Sequence, residues 1–371
     1  MAMKLIHKFS NAAWSSPVSA PWRQPRRRNK LSGLLRGIIV FSAALSAQTV
    51  TIPVGTTPLG IDVNPVTNKI YVANAGSNNV SVIDGSSNST LVVPVGSFPF
   101  AVAANPQTNK IYVANFNSGD VTVIDGATNQ TSTVIAGMIP IAIAINVSTN
   151  TIYVINNGSN DVTVIDGATN NTVTIPVGNT PDGIAVNPVT NKIYVANELS
   201  NNVTVIDGAT NETVTFPTGS APFSVAINLL TNQIYVTDSN SAEVTVIDGG
   251  TNATTSVATG LFPSGVAVNP VTNKIYVANN GSSSVTIIDG SKLTKAKVNV
   301  GADPVAVTVN LQTNEAYVAN QSSGTVTVID DKKHLTTVPV GTTPLHLVVN
   351  PATNKVYVTN RDSNDVSVLS Q

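Results

Sequence analysis

All eight tyrosines of the chain occupy the same position of one repeated segment: they are Tyr71, Tyr112, Tyr153, Tyr194, Tyr235, Tyr276, Tyr317 and Tyr357. Their spacing is 41 residues six times and 40 residues once. A fixed period of this length is typical of architectures built from stacked supersecondary units. A residue that recurs in every unit is therefore a candidate for the scaffold, and departures from the repeat are the better guide to function.

Each unit contains four short runs rich in β-branched residues, separated by turn-forming residues. In the unit at residues 171–211 the runs are TVTIPV, GIAV, KIYVAN and VTVID. Gly-x-x-Pro, Asn-Pro and Asp-Gly segments separate them, and we expect turns there because Asn and Gly tolerate positive φ and Pro fixes its own φ. Four short strands per unit, repeated around a ring, predict the blade of a β-propeller.

The strand composition favours a closed ring over an open sandwich. Val, Ile, Ala and Thr alternate on both faces of the runs, and charged residues make up only 11% of the chain. A blade that is covered on both sides by neighbouring blades needs no charged face, because each repeat buries itself against the next.

The number of blades follows from the turn Asn-x-x-Thr-Asn, which begins at Asn64, Asn105, Asn146, Asn187, Asn228, Asn269, Asn310 and Asn350. The last unit lacks a fourth run, and residues 49–54 have the TVTIPV form of that run. We therefore predict an all-β fold, an eight-bladed β-propeller of four-stranded blades of about 41 residues each. The N-terminal strand should complete the C-terminal blade, which closes the ring and hides the sheet edges of an open one.

The last tyrosine begins the motif Tyr357-Val-Thr-Asn360, and the other tyrosines begin the variants YVAN, YVIN or YVTD. On this repeated motif, residues 49–371 resemble the YVTN family of β-propellers, which is named for it. The resemblance implies a propeller but no single function, since similar propellers occur in surface-layer proteins, in exported bacterial proteins and in some lactonases and redox enzymes. Many relatives are seven-bladed, so their site positions cannot be transferred to a chain with eight units.

The first 47 residues differ in composition from the repeats. They hold eight of the 19 Lys and Arg residues and no acidic residue, and a short apolar stretch at 37–45 is followed by Ser46 and Ala47. This order is typical of a secretory signal peptide, and the stretch is too short to span a bilayer. We expect residues 1–47 to be a signal peptide or basic leader and residues 48–371 a single propeller domain, exported to the periplasm, the cell surface or the medium. A cytoplasmic protein with a disordered basic leader is the alternative.

Charge and cysteine content exclude several classes of partner and site. Residues 48–371 contain 11 basic and 20 acidic residues, a formal charge of −9, and no clustered cations. Nucleic-acid binding is therefore disfavoured. There is no cysteine, so neither a disulfide nor a thiolate metal site can form. We expect a monomer without a membrane-spanning segment after the leader.

No catalytic, metal-binding or cofactor-binding constellation is evident. Only His334 and His346 lie beyond the leader, too few for a copper cluster or a metallohydrolase site. His346 stands where most other units have Gly or Ala, as a tolerated substitution or as a residue of the central channel. Asp182 and Glu198 are unit-specific carboxylates near the same end of one blade, and an acid–base pair there stays open. We predict no metal site and no cofactor.

The departures from the repeat collect in the Gly-x-x-Pro connections and in the loops after the tyrosine motif, which should share one side of the ring, here called the loop face. The Asn-Pro and Asp-Gly turns should form the opposite side, the turn face. Loops on a rigid scaffold are where binding sites usually lie. The candidate binding residues are Phe98, Phe100, Phe116, Met138, Asp182, Glu198, Leu199, Phe223, Phe262, His346 and Arg361.

Five of the six phenylalanines beyond the leader are on this face. They either contact a partner or close the top of the core. The leading hypothesis is a non-enzymatic exported scaffold that binds an unknown protein, peptide or glycan at the cell surface. One alternative is a lactonase-like hydrolase or cofactor-dependent oxidoreductase that uses Asp182, Glu198, Arg361 or His346. The other is a self-associating surface-layer or adhesion module.

Overall fold

A computed structural model describes residues 48–370, which form eight sheets of four antiparallel strands. The expected leader at 1–47 lies outside the described residues. The first strand of each blade is β2 (Pro58–Asn64), β6 (Pro99–Asn105), β10 (Pro140–Asn146), β14 (Pro181–Asn187), β18 (Pro222–Asn228), β22 (Pro263–Asn269), β26 (Pro304–Asn310) or β30 (Pro344–Asn350). The second is β3 (Lys69–Asn74), β7 (Lys110–Asn115), β11 (Thr151–Asn156), β15 (Lys192–Asn197), β19 (Gln233–Asp238), β23 (Lys274–Asn279), β27 (Glu315–Asn320) or β31 (Lys355–Asn360).

The third strand is β4 (Asn79–Asp84), β8 (Asp120–Asp125), β12 (Asp161–Asp166), β16 (Asn202–Asp207), β20 (Glu243–Asp248), β24 (Ser284–Asp289), β28 (Thr325–Ile329) or β32 (Asp365–Ser370). The fourth is β5 (Thr90–Pro94), β9 (Thr131–Ile135), β13 (Thr172–Pro176), β17 (Thr213–Pro217), β21 (Thr254–Ala258), β25 (Lys295–Asn299), β29 (Leu335–Pro339) or β1 (Gln48–Pro53). One short 3-10 turn spans Asn280–Ser282. Blades are numbered one to eight from β2.

The ring closes as the repeat predicts. β1 pairs antiparallel with β32, with Ile52 opposite Val366, so the eighth blade takes its fourth strand from the start of the propeller. First strands of consecutive blades lie against each other all the way round, including β2 against β30. The predicted eight-bladed β-propeller is confirmed.

The core lies between the blades. All eight tyrosines are at most 1% exposed, and the aliphatic residues of the second and third strands surround them. The first strands crowd around the axis, which favours small residues there: a Cβ on Gly60 would come within 2.8 Å of the carbonyl oxygen of Phe100 in the next blade. The fourth strands lie at the rim and are largely exposed, as in β5.

The turn face is held by a circle of asparagine hydrogen bonds. Asn64 Oδ1 accepts the amides of Val66 at 3.0 Å and Thr67 at 3.4 Å, and its Nδ2 donates to Asn109 Oδ1 of the next blade at 2.9 Å. The same inter-blade bond recurs in each blade and returns from Asn350 to Asn68 at 2.7 Å. The Asn-x-x-Thr-Asn motif therefore both forms the turn and joins neighbouring blades.

Positive φ falls mainly on asparagines, as the turn chemistry predicts, but the glycines of the Asp-Gly and Gly-x-x-Pro segments do not adopt it. In the Asp-Gly turns the asparagine that follows takes it, as at Asn88 (φ 61°), whereas Gly85 is required because a Cβ there would lie 2.8 Å from Cγ of Asn68. In the Gly-x-x-Pro connections the residue before proline takes it, as at Thr57 (φ 55°). Glycine is thus required by close packing, while another residue adopts the left-handed conformation.

Candidate functional site on the loop face

Each Gly-x-x-Pro connection is fastened to the loop that follows the tyrosine motif. In the first blade the amides of Ala75 and Gly76 donate to the carbonyls of Thr57 and Thr56, both at 3.0 Å. Beneath them Asn74, the last residue of the motif, donates from Nδ2 to Asn79 Oδ1 at 2.8 Å. The loop face therefore consists of eight hydrogen-bonded loop pairs on buried side chains at the last position of the motif.

Asp238 breaks this pattern in the fifth blade, where it replaces the motif asparagine. Its Oδ2 accepts the Thr245 amide at 3.0 Å and the Thr245 hydroxyl at 2.7 Å. Burial raises the pKa of the Asp238 carboxyl to about 7, and the nearby Glu243 adds to the rise, although the Thr245 bonds oppose it. A carboxylate cannot donate as asparagine does, so the protonated form fits the position better.

Three of the five candidate phenylalanines are core residues. Phe100, Phe116 and Phe223 are 4%, 8% and 8% exposed. The ring centroid of Phe116 is 5.5 Å from that of Phe98 and 5.9 Å from that of Phe100. These rings close the top of the core, so they offer little surface to a partner. Phe98 is partly buried against the same cluster.

Other candidates on the loop face are exposed. The exposed fractions of Met138, Leu199 and Phe262 are 63%, 68% and 55%. They belong to the third, fourth and sixth blades, so they are spread around the ring rather than gathered into one patch.

The polar candidates Asp182 and Glu198 lie in the fourth blade and are 5% and 9% exposed. Asp182 Oδ1 accepts from Asn157 Nδ2 of the third blade at 2.8 Å. The Glu198 amide donates to the Thr180 carbonyl at 2.8 Å, in the usual loop pair. Both residues are therefore buried within the loop-face packing.

His346 lies on the innermost strand of the eighth blade and is partly buried. Its Nδ1 is 2.9 Å from the carbonyl oxygen of Leu59, which can only accept, so Nδ1 carries the proton. Burial lowers the pKa of His346, and the Leu59 bond partly offsets this. The imidazole therefore links the eighth blade to the first as a neutral side chain at neutral pH.

In four units a second asparagine, four residues after the motif asparagine, makes an additional hydrogen bond to the next Gly-x-x-Pro connection. Its Oδ1 accepts the amide of the residue before proline in the next connection, at 2.8 or 2.9 Å, and this bond runs from Thr57 to Asn364, Phe98 to Asn78, Thr180 to Asn160 and Ala221 to Asn201. In the other four units the position is Gly119, Ala242, Ser283 or Gly324. Two cavities lie at the two glycines.

The first cavity lies between the second and third blades and has a volume of about 540 Å³. Phe116, Met138 and Ile139 line it together with Asn117, Ser118 and Ser159, so its walls are mixed, with apolar side chains beside polar ones. Gly119 has φ 68°, close to the 60° of Asn160 at the equivalent position. The missing asparagine side chain leaves this space open.

The second cavity lies between the seventh and eighth blades and has a volume of about 660 Å³. Gly324, Asp303, Ser322, Thr343 and Arg361 line it, so its walls are polar. The Arg361 side chain is 16% exposed, and its Nε donates to Asp362 Oδ1 at 2.7 Å. Arg361 is thus the one sequence candidate that lines this polar cavity.

Sequence reasoning overlooked three informative residues. Asp62 occupies an inner-strand position where the other units have Ala, Thr or Val, and its Oδ2 accepts the Ala104 amide of the next blade at 2.8 Å. Burial raises the pKa of Asp62 to about 7. Gly119 and Gly324 were also missed. All three differ from the repeat, so a position-by-position comparison of the units could have found them.

Residues 48–370 contain no cluster of His, Asp and Glu side chains that could hold a metal ion. The same residues include no helix long and apolar enough to cross a membrane.

The chain matches no protein-family profile, and no curated protein matches it in sequence. Among solved structures, it is similar to Kuenenia stuttgartiensis hydrazine synthase, with 21% identity, 81% of this chain and 100% of that chain covered, and a TM-score of 0.61. A catalytically inactive variant of virginiamycin B lyase from Staphylococcus aureus, crystallised with quinupristin, is 11% identical, with 87% of this chain and 99% of that chain covered and a TM-score of 0.62.

A chain of a mitotic checkpoint complex is 14% identical, with 86% of this chain and 99% of that chain covered and a TM-score of 0.64. The solved neighbours thus include enzymes and a member of a protein assembly. At these identities the likeness establishes the propeller fold and not a shared activity.

Proposed function

We propose that this protein is an exported, non-enzymatic β-propeller of the YVTN type that binds a protein or peptide segment through its loop face. The observation that carries the proposal is the cavity beside Gly119, where Phe116, Met138 and Ile139 provide apolar surface within a mixed wall. Its volume of about 540 Å³ can accept a large apolar side chain, and Met138 at its rim is 63% exposed. An apolar side chain inserted into a pocket is the usual anchor of a protein interface.

The scaffold around the cavity is suited to this role. The loop pair beneath it is fixed by the bonds from Phe116 N to Phe98 O at 2.9 Å and from Asn117 N to Ser97 O at 3.1 Å. A site that is already ordered loses little conformational entropy when a partner binds. Met138 adds an adaptable thioether that fits partners of varied shape.

Export is a separate part of the proposal and rests on the basic, apolar and small-residue order of residues 1–47. The test is N-terminal sequencing of the protein recovered from the envelope and medium of its native cells. A start near residue 48 supports export. A chain that keeps residues 1–47 and stays in the cytoplasm contradicts it.

The binding proposal is tested with the variant Gly119→Asn, which introduces the asparagine found at the equivalent position of four other units. A Cβ at Gly119 has Gly137 O, at 3.4 Å, as its nearest contact, and Asn160 adopts a similar φ of 60° at the equivalent position. Random peptides displayed on phage are selected on the purified protein, and each enriched peptide is then titrated against both proteins. We expect peptides with a common apolar anchor and at least about a tenfold loss of affinity in the variant.

Gly324→Asn, which fills the other cavity, is the matched control and should leave the peptide affinity unchanged. Peptides that bind Gly119→Asn as tightly as the unaltered protein would contradict the proposed site. Failure to select any peptide, with specific retention of a glycan instead, would replace the protein partner by a carbohydrate.

An enzymatic function is the second candidate. It is favoured by the buried carboxylates Asp182 and Glu198, which lie in one blade. Hydrolysis of a panel of lactones that is abolished by Asp182→Asn, with the fold intact, would support it. Equal rates in the variant would remove this pair from the mechanism.

A further inference from the structure

We propose that the polar cavity between the seventh and eighth blades binds a small organic carboxylate that also carries a hydrogen-bond donor, such as an ammonium or a hydroxyl group. The cavity has a volume of about 660 Å³, which is within the range of small-molecule sites. The proposal is independent of the peptide site, because the two cavities lie at different blades and share no lining residue.

Three departures from the repeat meet in this one cavity. Gly324 replaces an asparagine, and Asp303 and Arg361 are the only charged residue and the only cation at their positions in the eight units. Elsewhere on the loop face charged departures occur singly or within packed loops, as at Asp182. This cavity differs from an ordinary gap between loops because its open volume is lined by two side chains of opposite charge, Asp303 and Arg361.

Thr343 lines the cavity, and its backbone amide is the proposed donor to the carboxylate. In four other units the equivalent amide donates to an asparagine Oδ1, and at Thr180 the distance is 2.8 Å. Gly324 has no such oxygen, so the Thr343 amide lacks its usual side-chain acceptor. An oxygen of the ligand takes the place of the missing Oδ1.

Arg361 supplies the positive charge beside that amide. Its backbone amide donates to the Thr343 carbonyl at 3.0 Å, so the two residues form one loop pair. Two guanidinium N–H groups are used by Asp362, from Nε at 2.7 Å and Nη2 at 3.2 Å. Arginine has five such donors, and the others remain for a ligand while Asp362 fixes the orientation of the group.

Asp303 adds a carboxylate, which is a hydrogen-bond acceptor, to the lining of the cavity. The Ser322 hydroxyl donates to Asp303 Oδ2, which holds the carboxylate in place and leaves Oδ1 for a donor of the ligand. A ligand with a carboxylate alone would satisfy only the end formed by Thr343 and Arg361. An adjacent ammonium or hydroxyl group satisfies Asp303 as well, which selects α-amino acids and hydroxy acids from other anions.

The test is isothermal titration of the purified protein with the standard L-amino acids, with L-lactate and with D-glucuronate, each beside its primary amide. We expect at least one carboxylate to bind with a millimolar or lower Kd and its amide to bind at least about tenfold more weakly. Gly324→Asn should abolish binding, since its side chain enters the cavity and its Oδ1 takes the Thr343 amide. Arg361→Gln should weaken binding at least about tenfold without loss of fold.

Gly119→Asn serves as the matched control and should bind the carboxylate unchanged. The Gly324→Asn variant should fold, because Gly324 has φ 59° and Asn364 has a similar φ of 56° at the equivalent position. A Cβ at Gly324 has Gly341 O, at 3.5 Å, as its nearest contact. The proposal is overturned if no carboxylate of the panel binds, if the amides bind equally well, or if Gly324→Asn retains binding.

Discussion

The turn face and the loop face each repeat an asparagine hydrogen bond between units, but only on the turn face is that bond present in all eight units. The inter-blade asparagine bond of the turn face is made eight times, from Asn64 to Asn109 and onward to the return from Asn350 to Asn68. The equivalent asparagine bond of the loop face is made four times. The asparagine bond between units is complete on the turn face, whereas on the loop face it is absent from four units, and the two cavities lie at two of these, Gly119 and Gly324.

The largest expected effect concerns Asp238, at the base of the loop face, where Asp238→Asn would restore the repeat. The raised pKa of about 7, against an ordinary 3.8, means that the folded state binds the proton more tightly than the unfolded state. Stability of the unaltered protein should therefore fall as pH rises from about 4 to about 7 and level off above that. At pH 8 the variant should be more stable by up to about 4 kcal/mol.

Denaturant unfolding of both proteins between pH 4 and pH 8 measures this difference. It should become small near pH 4, because Asp238 is then protonated in the folded state and partly protonated in the unfolded state, whose ordinary pKa is 3.8. Asp62 also has a pKa raised to about 7, so part of the pH dependence should persist in the variant. A difference that is independent of pH would show that Asp238 is ionised in the fold.

Substitution of two phenylalanines, one buried and one exposed, distinguishes the core of the loop face from its surface. Phe116→Ala should lower the free energy of unfolding by about 3 kcal/mol, since it leaves a cavity beneath Phe98 and Phe100. Phe262→Ala should change it by less than about 0.5 kcal/mol, because Phe262 is 55% exposed. Chemical denaturation measures both values. Equal losses would mean that the loop face is packed uniformly, contrary to the comparison.

A weaker effect is expected on the turn face from Asn187→Ala. Asn187 Oδ1 accepts the amides of Val189 at 3.0 Å and Thr190 at 3.2 Å, and Nδ2 donates to Asn232 at 2.8 Å. Loss of these bonds at a buried site should cost about 2 kcal/mol. Asn160→Gly on the loop face loses one bond, from the Thr180 amide, tolerates the φ of 60° at this position, and is the control, with an expected cost of about 1 kcal/mol. The reverse order would remove the distinction between the faces.

Much of the fold could be predicted from the sequence because the evidence was repeated eight times. The tyrosine period, the Asn-x-x-Thr-Asn turns and the orphan strand at 49–54 each specify the same ring, and β1 indeed pairs with β32. Turn details were less accessible: the residue before proline adopts positive φ in every connection, including β-branched Thr57 and Ile139. Local propensity disfavours this conformation, and the loop pairing imposes it.

The sequence predicted which face of the ring holds the candidate site, but not which of its side chains are exposed. The exposure of each side chain depends on the residue opposite it in the loop pair. Phe98 and Phe262 occupy the same position of the repeat, yet Phe98 is partly buried and Phe262 is 55% exposed. The Phe98 carbonyl is paired with the amide of Phe116, whereas that of Phe262 is paired with Asn280. An aromatic neighbour buries the first ring, and a polar neighbour leaves the second in solvent.

The most direct test of the account is to titrate both filled-cavity variants, Gly119→Asn and Gly324→Asn, with a selected peptide and with a bound carboxylate. The account predicts that each variant loses only the ligand of its own cavity and that neither loses thermal stability. Loss of both ligands in one variant, or retention of both in either variant, would contradict the claim that missing asparagines create two separate binding sites on the loop face.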